Sequence, residues 1–273
     1  MTTSPLPPGI VLADTITKLG PETRGAVVVS GSHGGRYCGY LALKAQVRAV
    51  ILNDAGVGKD DAGVASLADV EAHGLAAATV SNMTCRIGDA ADGIARGIIS
   101  HANAPARAVG VVPLMSGREA AERLRLAPQV TITPNPISEG RWVLSEDGWL
   151  RRIVLIDSAS MVMPEDAGQI VVTASHGALL GGNPKMALQV DGFAGVFNDA
   201  GVGIEGWGVT RLPALDGRGI AGLTVSAASA RIGDARSVYE DGVISHVNAK
   251  AASMGAAVGI ALKSLLMAWA QKA

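Results

Sequence analysis

The amino-acid sequence predicts an α/β fold built from two tandem repeats of a parallel-strand β-α-β unit. Three observations lead to this prediction. The chain matches itself at a nearly constant offset, strand-like apolar runs alternate with helix-like segments in each half, and the 273 residues include 35 glycines but only 3% aromatic residues. Strands that alternate with helices pair in parallel, and a glycine-rich composition with few aromatic residues suits tightly packed α/β layers.

The repeat is carried by short motifs rather than by the apolar runs. At an offset of 143 residues, Ser-His-Gly at 32–34 matches 175–177. After a two-residue insertion the offset becomes 145, and NDAGVG at 53–58 recurs unchanged at 198–203. The apolar stretches have diverged between the halves, so core packing alone does not explain why these polar and glycine motifs were kept. IVLADT at 10–15 also matches IVLIDS at 153–158. Three further motifs occur in both halves: TVS at 79–81 and 224–226, RIGDA at 86–90 and 231–235, and ISH-x-N at 99–103 and 244–248.

Both halves predict the same order of elements. An apolar strand, GAVVVSG or GQIVVTA, ends in Ser-His-Gly and is followed by a short variable segment. A second strand ends in Asn-Asp-Ala-Gly, a helix closed by glycine follows, and a third strand is LAAATVS or IAGLTVS. RIGDA opens a final helix with Asp89 or Asp234 as its N-cap. His101 and His246 are assigned to helices, with Asn103 and Asn248 as caps.

Two regions fall outside the matching halves. The segment between them contains a helical stretch, REAAERLRL, and then strands joined by loops, with a hairpin turn at Glu-Asp-Gly. The last helix resembles the first half only at its start. The predicted organisation is a first α/β repeat at 10–110, a linker of helix and hairpin at 111–152, a second α/β repeat at 153–255 and a C-terminal helix at 256–273, with the repeats related by a pseudo-twofold axis.

Composition excludes several classes of function. The net charge of −1 and the absence of a basic run argue against nucleic-acid binding. Cys38 and Cys85 make neither a disulfide framework nor a cysteine-based zinc site. The start, MTTSPLPPG, does not resemble an export signal, and the apolar stretch 256–270 is short for a membrane span and contains Lys263. We therefore expect a cytoplasmic protein without membrane or nucleic-acid partners, which forms a homo-oligomer.

Three motifs in each half follow directly after predicted strands: Ser-His-Gly, Asn-Asp-Ala-Gly-Val-Gly and Ser-x(4)-Arg-Ile-Gly-Asp. Ligands of open α/β sheets bind beyond the carboxyl ends of the strands, so these motifs are expected to gather there. Four of the five histidines occupy equivalent repeat positions, and only His73 does not. The predicted catalytic residues are His33, His176, Asp54, Asp199, Ser32 and Ser175.

The remaining motif residues are predicted to bind a substrate. Glycine N–H groups suit an oxyanion, and an arginine fork suits a carboxylate. Histidine suits general-base chemistry near neutral pH, oriented here by Asp54 or Asp199. The predicted substrate-binding residues are Gly34, Gly35, Gly177, Asn53, Asn198, Ser81, Ser226, Arg86, Arg231, Asp89 and Asp234.

Each motif also has a purely structural explanation. Asp54 and Asp199 would then only hydrogen-bond a turn, and the pairs of Arg86 with Asp89 and of Arg231 with Asp234 would form a local salt bridge and a helix cap. His101 and His246 would be satisfied core histidines. His33 and His176 are harder to explain by packing, because they lie between serine and glycine at the end of a buried strand.

The predicted function is hydrolysis of a small amide or cyclic amide that bears a carboxylate. Three alternatives stay open: a lyase or isomerase that abstracts a proton next to a carboxylate, a non-catalytic protein that binds small anions, and a structural role for the repeated motifs. No organic cofactor is expected, since GVGIEG at 201–206 matches a dinucleotide fingerprint only in the second half and lacks the acidic residue that binds ribose. A divalent metal held by the motif histidines and aspartates is a further alternative.

Overall fold

The computed structural model describes residues 6–271 and divides into two compact units. The first unit holds residues 6–57, 61–137 and 203–205, and the second holds 58–60, 138–202 and 206–271. Residues 1–5 of the N-terminal MTTSPLPPG stretch and residues 272–273 of the predicted C-terminal helix lie outside the described residues. No helix within 6–271 combines the length and the apolar composition needed to cross a bilayer.

The first unit contains a five-stranded sheet in which the strands follow one another in chain order. The first four strands are parallel, and the fifth pairs antiparallel with the fourth. The strands are β1 (Ile10–Ala13), β2 (Val27–His33), β3 (Ala49–Asn53), β4 (Ala76–Val80) and β5 (Ile99–Ala102), and the helices are α1 (Arg36–Lys44), α2 (Ser66–Glu71), α3 (Ala90–Arg96), α4 (Ala104–Ala108) and α5 (Gly117–Leu124).

The second unit contains a six-stranded sheet with an extra antiparallel strand at one edge. Its strands are β6 (Arg141–Leu144), β7 (Ile153–Ile156), β8 (Ile170–His176), β9 (Ala194–Asn198), β10 (Ala221–Val225) and β11 (Ile244–Val247), in the order β11-β10-β9-β8-β7-β6. The strands from β7 to β10 are parallel, and β11 is antiparallel to β10. The helices are α6 (Arg211–Asp216), α7 (Ala235–Asp241), α8 (Ala249–Ser253) and α9 (Leu262–Gln271).

The central strands are buried along their whole length, as expected for parallel strands covered on both faces. Every residue of β3, β4, β9 and β10 is buried. The predicted helix caps are confirmed: the Asp89 side chain accepts the Asp92 N–H at 2.8 Å, and Asp234 accepts the Ser237 N–H at 3.0 Å. The α/β class predicted from the sequence is therefore correct, with two mostly parallel sheets and a C-terminal helix.

The predicted helical location of His101 and His246 is wrong, because both lie on the antiparallel edge strands β5 and β11. Helix α3 ends before Gly97, and the chain returns along β4 in only four residues. So short a segment carries too little periodicity to distinguish a strand from a helix. Asn103 and Asn248 do cap helices, but these are the following helices α4 and α8 and not helices that contain the two histidines.

The C-terminal helix also differs from its prediction, since α9 begins at Leu262 rather than at residue 256. Gly259, at φ of 88°, lies within the predicted helix and prevents it from starting at residue 256, and Gly255, at φ of 89°, ends the chain segment after α8. The residue before each of the helices α5 and α9 forms the same kind of contact: an isolated antiparallel bridge joins Ile98 to Ser116 before α5, and another joins Val243 to Ala261 before α9. No strand is present at 130–140, the first part of the stretch predicted to hold strands and loops, whereas the hairpin of β6 and β7 is present.

The segment after Ser-His-Gly differs between the units. In the first unit it forms α1, which packs on α2. In the second unit the same region consists of short turns, Leu180–Gly182 and Pro184–Met186. Arg211, only 4% exposed, holds these turns and stacks its guanidinium 4.8 Å from the centre of the Phe197 ring. It donates to the carbonyl oxygens of Ala178 at 3.0 Å, Met186 at 2.8 Å and Ala187 at 2.7 Å.

Candidate functional site

The polar motifs of the first unit meet at the carboxyl ends of β2, β3 and β4. His33 pairs in register with Asn53, and the Gly34 N–H donates to the Asn53 carbonyl at 2.8 Å. The Asp54 N–H donates to the carbonyl of Val80, just before Ser81. The RIGDA loop reaches the same edge, since its Gly88 N–H donates to the Gly31 carbonyl at 2.7 Å.

The second unit makes the same connections between its own strands. His176 pairs in register with Asn198, and the Gly177 N–H donates to the Asn198 carbonyl at 2.8 Å. The Asp199 N–H donates to the carbonyl of Val225, and Gly233 donates to the carbonyl of Ala174 at 3.0 Å. Each unit therefore brings its own Ser-His-Gly, Asn-Asp-Ala-Gly and Arg-Ile-Gly-Asp motifs to one edge of its own sheet.

The repeated hexamer has an unusual backbone, with four consecutive residues in the left-handed region. The φ values are 50°, 73°, 63° and 73° from Ala55 to Gly58, and 50°, 69°, 62° and 72° from Ala200 to Gly203. Left-handed backbone costs an L-residue roughly 1–2 kcal/mol, and a β-branched residue such as Val57 or Val202 rarely adopts it. Strain of this kind persists only where the surrounding structure enforces it.

The two polar side chains of the hexamer enforce that backbone. The Asn53 Oδ1 accepts the Ala55 N–H at 2.9 Å. The Asp54 Oδ1 accepts the N–H groups of Gly56 at 3.0 Å and Asn82 at 2.9 Å. No hydrogen bond to the Oδ2 of Asp54 is present within residues 6–271. The second unit repeats this arrangement: Asn198 Oδ1 accepts from Ala200, and Asp199 Oδ1 accepts from Gly201 and Ala227, each at 2.9 Å.

His33 is held by its own motif as a neutral ring. Its Nδ1 accepts the Gly35 N–H at 3.1 Å, which places the ring proton on Nε2. Burial lowers the pKa of His33 to about 4, so the imidazole is uncharged at neutral pH. In the second unit, the Nδ1 of His176 accepts the Ala178 N–H at 3.3 Å, and His176 is 7% exposed.

The N–H groups of the motif glycines, predicted as oxyanion donors, donate to acceptors within the protein. The N–H groups of Gly34 and Gly177 donate to strand carbonyls, and the Gly35 N–H donates to the His33 ring. The turn that forms the motif therefore uses all three N–H groups, and a substrate oxygen would have to compete with these acceptors. The ring Nε2–H of His33 is a remaining motif donor of the first unit, together with the hydroxyl groups of Ser32 and Ser81.

The motif serines tie the strand ends to neighbouring backbone. Ser32 Oγ accepts the Ile16 N–H at 3.0 Å, and Ser175 Oγ accepts the Ala159 N–H at 2.9 Å. Ser81 Oγ accepts the N–H two residues further along the chain, at 3.2 Å, as does Ser226 Oγ. As these hydroxyl oxygens serve as acceptors, their protons are not used in these bonds.

The motif arginines form ion pairs instead of open carboxylate forks. Arg86 contacts Glu205, which belongs to the first unit, with Nε 2.7 Å from a carboxylate oxygen. Arg231 contacts Asp60, which belongs to the second unit, at 2.8 Å, and Asp234 at 3.0 Å. A bound carboxylate would have to compete with these partners. Asp89 and Asp234 serve as the helix caps described above.

A cluster of hydroxyls and an imidazole beside the motifs was not predicted as part of the site. Thr79 Oγ1 lies 3.0 Å from Ser100 Oγ and 3.4 Å from His101 Nδ1. A Cβ placed on Gly34 would lie 3.1 Å from the Thr79 side chain, so the cluster adjoins the Ser-His-Gly turn. The repeated ISH motif is the signal that could have revealed it. Thr224, Ser245 and His246 form the same cluster in the second unit.

The thiol of Cys85 adjoins the site but is not a thiolate. The Asn53 Nδ2 lies 3.6 Å from its Sγ, and burial together with nearby carboxylates raises the pKa of Cys85 to about 12. Across residues 6–271, no three His, Cys, Asp or Glu side chains are grouped so that they could hold a metal ion. No family model, curated protein or solved structure matches the chain, and the functional proposal rests on the chemistry of these residues.

Proposed function

We propose that the protein is an enzyme that hydrolyses a small amide or cyclic amide bearing a carboxylate, at the strand-end site centred on His33 and Asp54. The observation that carries the proposal is the left-handed hexamer, present in both halves. It costs stability, and yet it was kept while the surrounding apolar residues changed. Backbone strain of this kind concentrates at active sites and ligand clamps. We also infer that the halves are tandem repeats related by a pseudo-twofold axis.

His33 acts as a hydrogen-bond donor in this proposal, and not as the general base expected from the sequence. A base with a pKa of about 4 is weak at neutral pH, and Nδ1 is already an acceptor. A neutral imidazole with its proton on Nε2 is well suited to stabilise negative charge on a carbonyl oxygen. The amide carbonyl is accordingly assigned to the Nε2–H of His33.

Asp54 acts as the general base. Its Oδ1 is fixed by two backbone N–H groups, which orients Oδ2 without occupying it. A water molecule that donates to Oδ2 attacks the carbonyl carbon and loses its proton to Asp54, while the carbonyl oxygen gains negative charge. The C–N bond then breaks, the nitrogen takes up the proton, and a carboxylate and an amine are released. Ser32 is assigned to positioning the substrate.

The same donor and base also suit proton abstraction from a carbon next to a carboxylate, which is the second candidate reaction. Asp54 would then remove a C–H proton, and His33 would stabilise the resulting enolate oxygen. The occupied arginines favour a neutral amide carbonyl as the main point of recognition over a free carboxylate. A cytoplasmic location and a homo-oligomer remain predictions.

The test is a hydrolysis assay on a panel of carboxylated linear and cyclic amides, with release of the amine measured. Asp54→Asn should reduce turnover by about 10²-fold or more, the usual effect of losing a general base. His33→Gln should reduce it by about 10²-fold, as for an oxyanion donor. His73→Gln, in the exposed histidine outside the motifs, is the matched control and should leave turnover unchanged.

Asp199→Asn, made in parallel, shows which of the two units carries the activity. If substrate hydrogen exchanges for solvent deuterium and the amide is not cleaved, the result supports proton abstraction, the second candidate reaction, and contradicts hydrolysis. Full turnover in both folded Asp54→Asn and folded His33→Gln would refute the proposed site.

A further inference from the structure

The extra strand of the second unit forms a pocket with helix α7. In the β6–β7 pairing Trp142 lies opposite Leu155, and Leu144 faces the same side of the sheet as Trp142. Residues 236, 239 and 240 of α7 are spaced to lie on one face of that helix. The pocket has a volume of about 290 Å³ and is lined by Trp142, Leu144, Leu155, Arg236, Tyr239 and Glu240.

Three side chains that line this pocket carry hydrogen-bond donors without a partner among the described residues: Trp142, Arg236 and Tyr239. Tyr239 is only 4% exposed as a residue, but its hydroxyl is not enclosed, since Ser66 Oγ is the one fully buried side-chain polar atom without a partner among the described residues. The hydroxyl therefore remains accessible to a ligand in the pocket. The guanidinium of Arg236 stacks 4.8 Å from the centre of the Trp142 ring and forms no ion pair within 6–271.

The lining offers few acceptors to balance these donors. Glu240 is its one carboxylate, and Lys263 neutralises it at 2.7 Å. Arg236 therefore has no counterion in the lining, and the Asp157 carboxylate, which lies outside the lining, attracts it without forming an ion pair among the described residues. A ligand that complements this pocket brings acceptor oxygens and a negative charge, together with an apolar body for the two leucines and the indole.

The pocket is specific to the second unit. The described part of the first unit, which starts at residue 6, has no strand equivalent to β6, and its residues at the positions of Arg236, Tyr239 and Glu240 are Ala91, Ile94 and Ala95. Gly140 supports the arrangement, because any side chain there would overlap the Trp142 indole. The pocket is therefore built from residues that do not belong to the repeated motifs.

We propose that this pocket binds a small aromatic carboxylate. The carboxylate accepts hydrogen bonds from the Arg236 guanidinium and the Tyr239 hydroxyl, and the ring packs against Leu144 and Leu155. The volume lies just below the range of about 300–1,000 Å³ for small-molecule sites, which limits the ligand to a compact acid.

Calorimetric titration of the full chain with benzoate tests the proposal, with benzamide as the uncharged probe of the same shape. Benzoate should bind saturably, and benzamide at least about tenfold more weakly, because a hydrogen bond to a charged group is worth more than a neutral one. Arg236→Met should weaken benzoate binding about tenfold or more, and Tyr239→Phe by a few fold. Arg125→Met removes one positive charge from an exposed arginine of the first unit and should leave the affinity for benzoate unchanged.

Three results would overturn the proposal: equal affinity for benzoate and benzamide, unchanged benzoate binding by Arg236→Met, or no saturable binding at millimolar benzoate. Arg236 is exposed, so its replacement should leave the fold intact, which circular dichroism verifies. His33→Gln should bind benzoate like the wild type, which separates this pocket from the proposed catalytic site.

Discussion

Replacing Asp54 with alanine and with asparagine separates its part in the fold from its proposed part in catalysis. Asp54 is 4% exposed, and its Oδ1 accepts two backbone N–H groups that hold the left-handed hexamer and the start of the Ser81 turn. Alanine removes both bonds and leaves two buried donors without a partner. A hydrogen bond to a charged group contributes roughly 1.5–3 kcal/mol, so we expect Asp54→Ala to lower the free energy of unfolding by about 3–5 kcal/mol.

Asparagine keeps an acceptor oxygen at the position of Oδ1 and places its amide where Oδ2 has no hydrogen bond. It loses only the charge-assisted part of the two bonds, since neutral hydrogen bonds are about half as strong. We expect Asp54→Asn to cost about 1–2 kcal/mol and to fold. Its loss of turnover would then reflect the missing base and not an unfolded site.

Urea denaturation followed by circular dichroism at neutral pH measures both values, provided that the dependence on urea is the same for all variants. Glu122→Ala, which removes an exposed carboxylate from α5, is the charge control and should change the stability by less than about 0.5 kcal/mol. The reasoning is refuted if Asp54→Ala costs under about 1 kcal/mol, or if the asparagine variant is as unstable as the alanine variant.

Three further outcomes follow from the same structure. Because burial lowers the pKa of His33 from 6.5 to about 4, the unfolded chain binds a proton between these pH values and the folded chain does not. The free energy of unfolding should therefore fall by roughly 3 kcal/mol as the pH drops from 6.5 to 4. This fall should be missing when the pH series is repeated with His33→Gln. Arg211→Met should cost about 3–5 kcal/mol in urea denaturation, since three carbonyl oxygens lose their donor, and a cost below about 1 kcal/mol would contradict the assigned role. Asn103→Ala should cost about 2–4 kcal/mol, because the buried amide bonds both to strand β4 and to α4, whereas an unchanged melting curve would show that these bonds contribute nothing.

The sequence could predict the features that depend on residue type and chain position. Apolar runs that end in polar motifs identify strands whose ends carry chemistry, and an aspartate before a helix identifies a cap. Both central sheets and the caps at Asp89 and Asp234 follow from these rules. Such rules need only local information, which explains their success here.

Features that depend on three-dimensional partners could not be predicted. The tautomer of His33 is set by the Gly35 N–H, which donates to Nδ1 and leaves the ring proton on Nε2. The four left-handed residues of each hexamer are held by the acceptors of its own asparagine and aspartate, which are Asn53 and Asp54 in the first hexamer. Alanine and valine do not favour left-handed backbone, so residue preferences do not predict this conformation. The pocket beside Trp142 exists because an antiparallel strand was added to the edge of the second sheet.

The central claim is that His33 is a neutral ring that carries its proton on Nε2, and nitrogen-15 NMR of the imidazole side chains tests it most directly. His33→Gln identifies the signal among the five histidines. We expect a protonated Nε2, an unprotonated Nδ1 and no titration near pH 6.5, because the pKa of His33 is about 4. A proton on Nδ1, or a ring that becomes charged with a pKa near 6.5, would contradict both the donor role and the mechanism built on it.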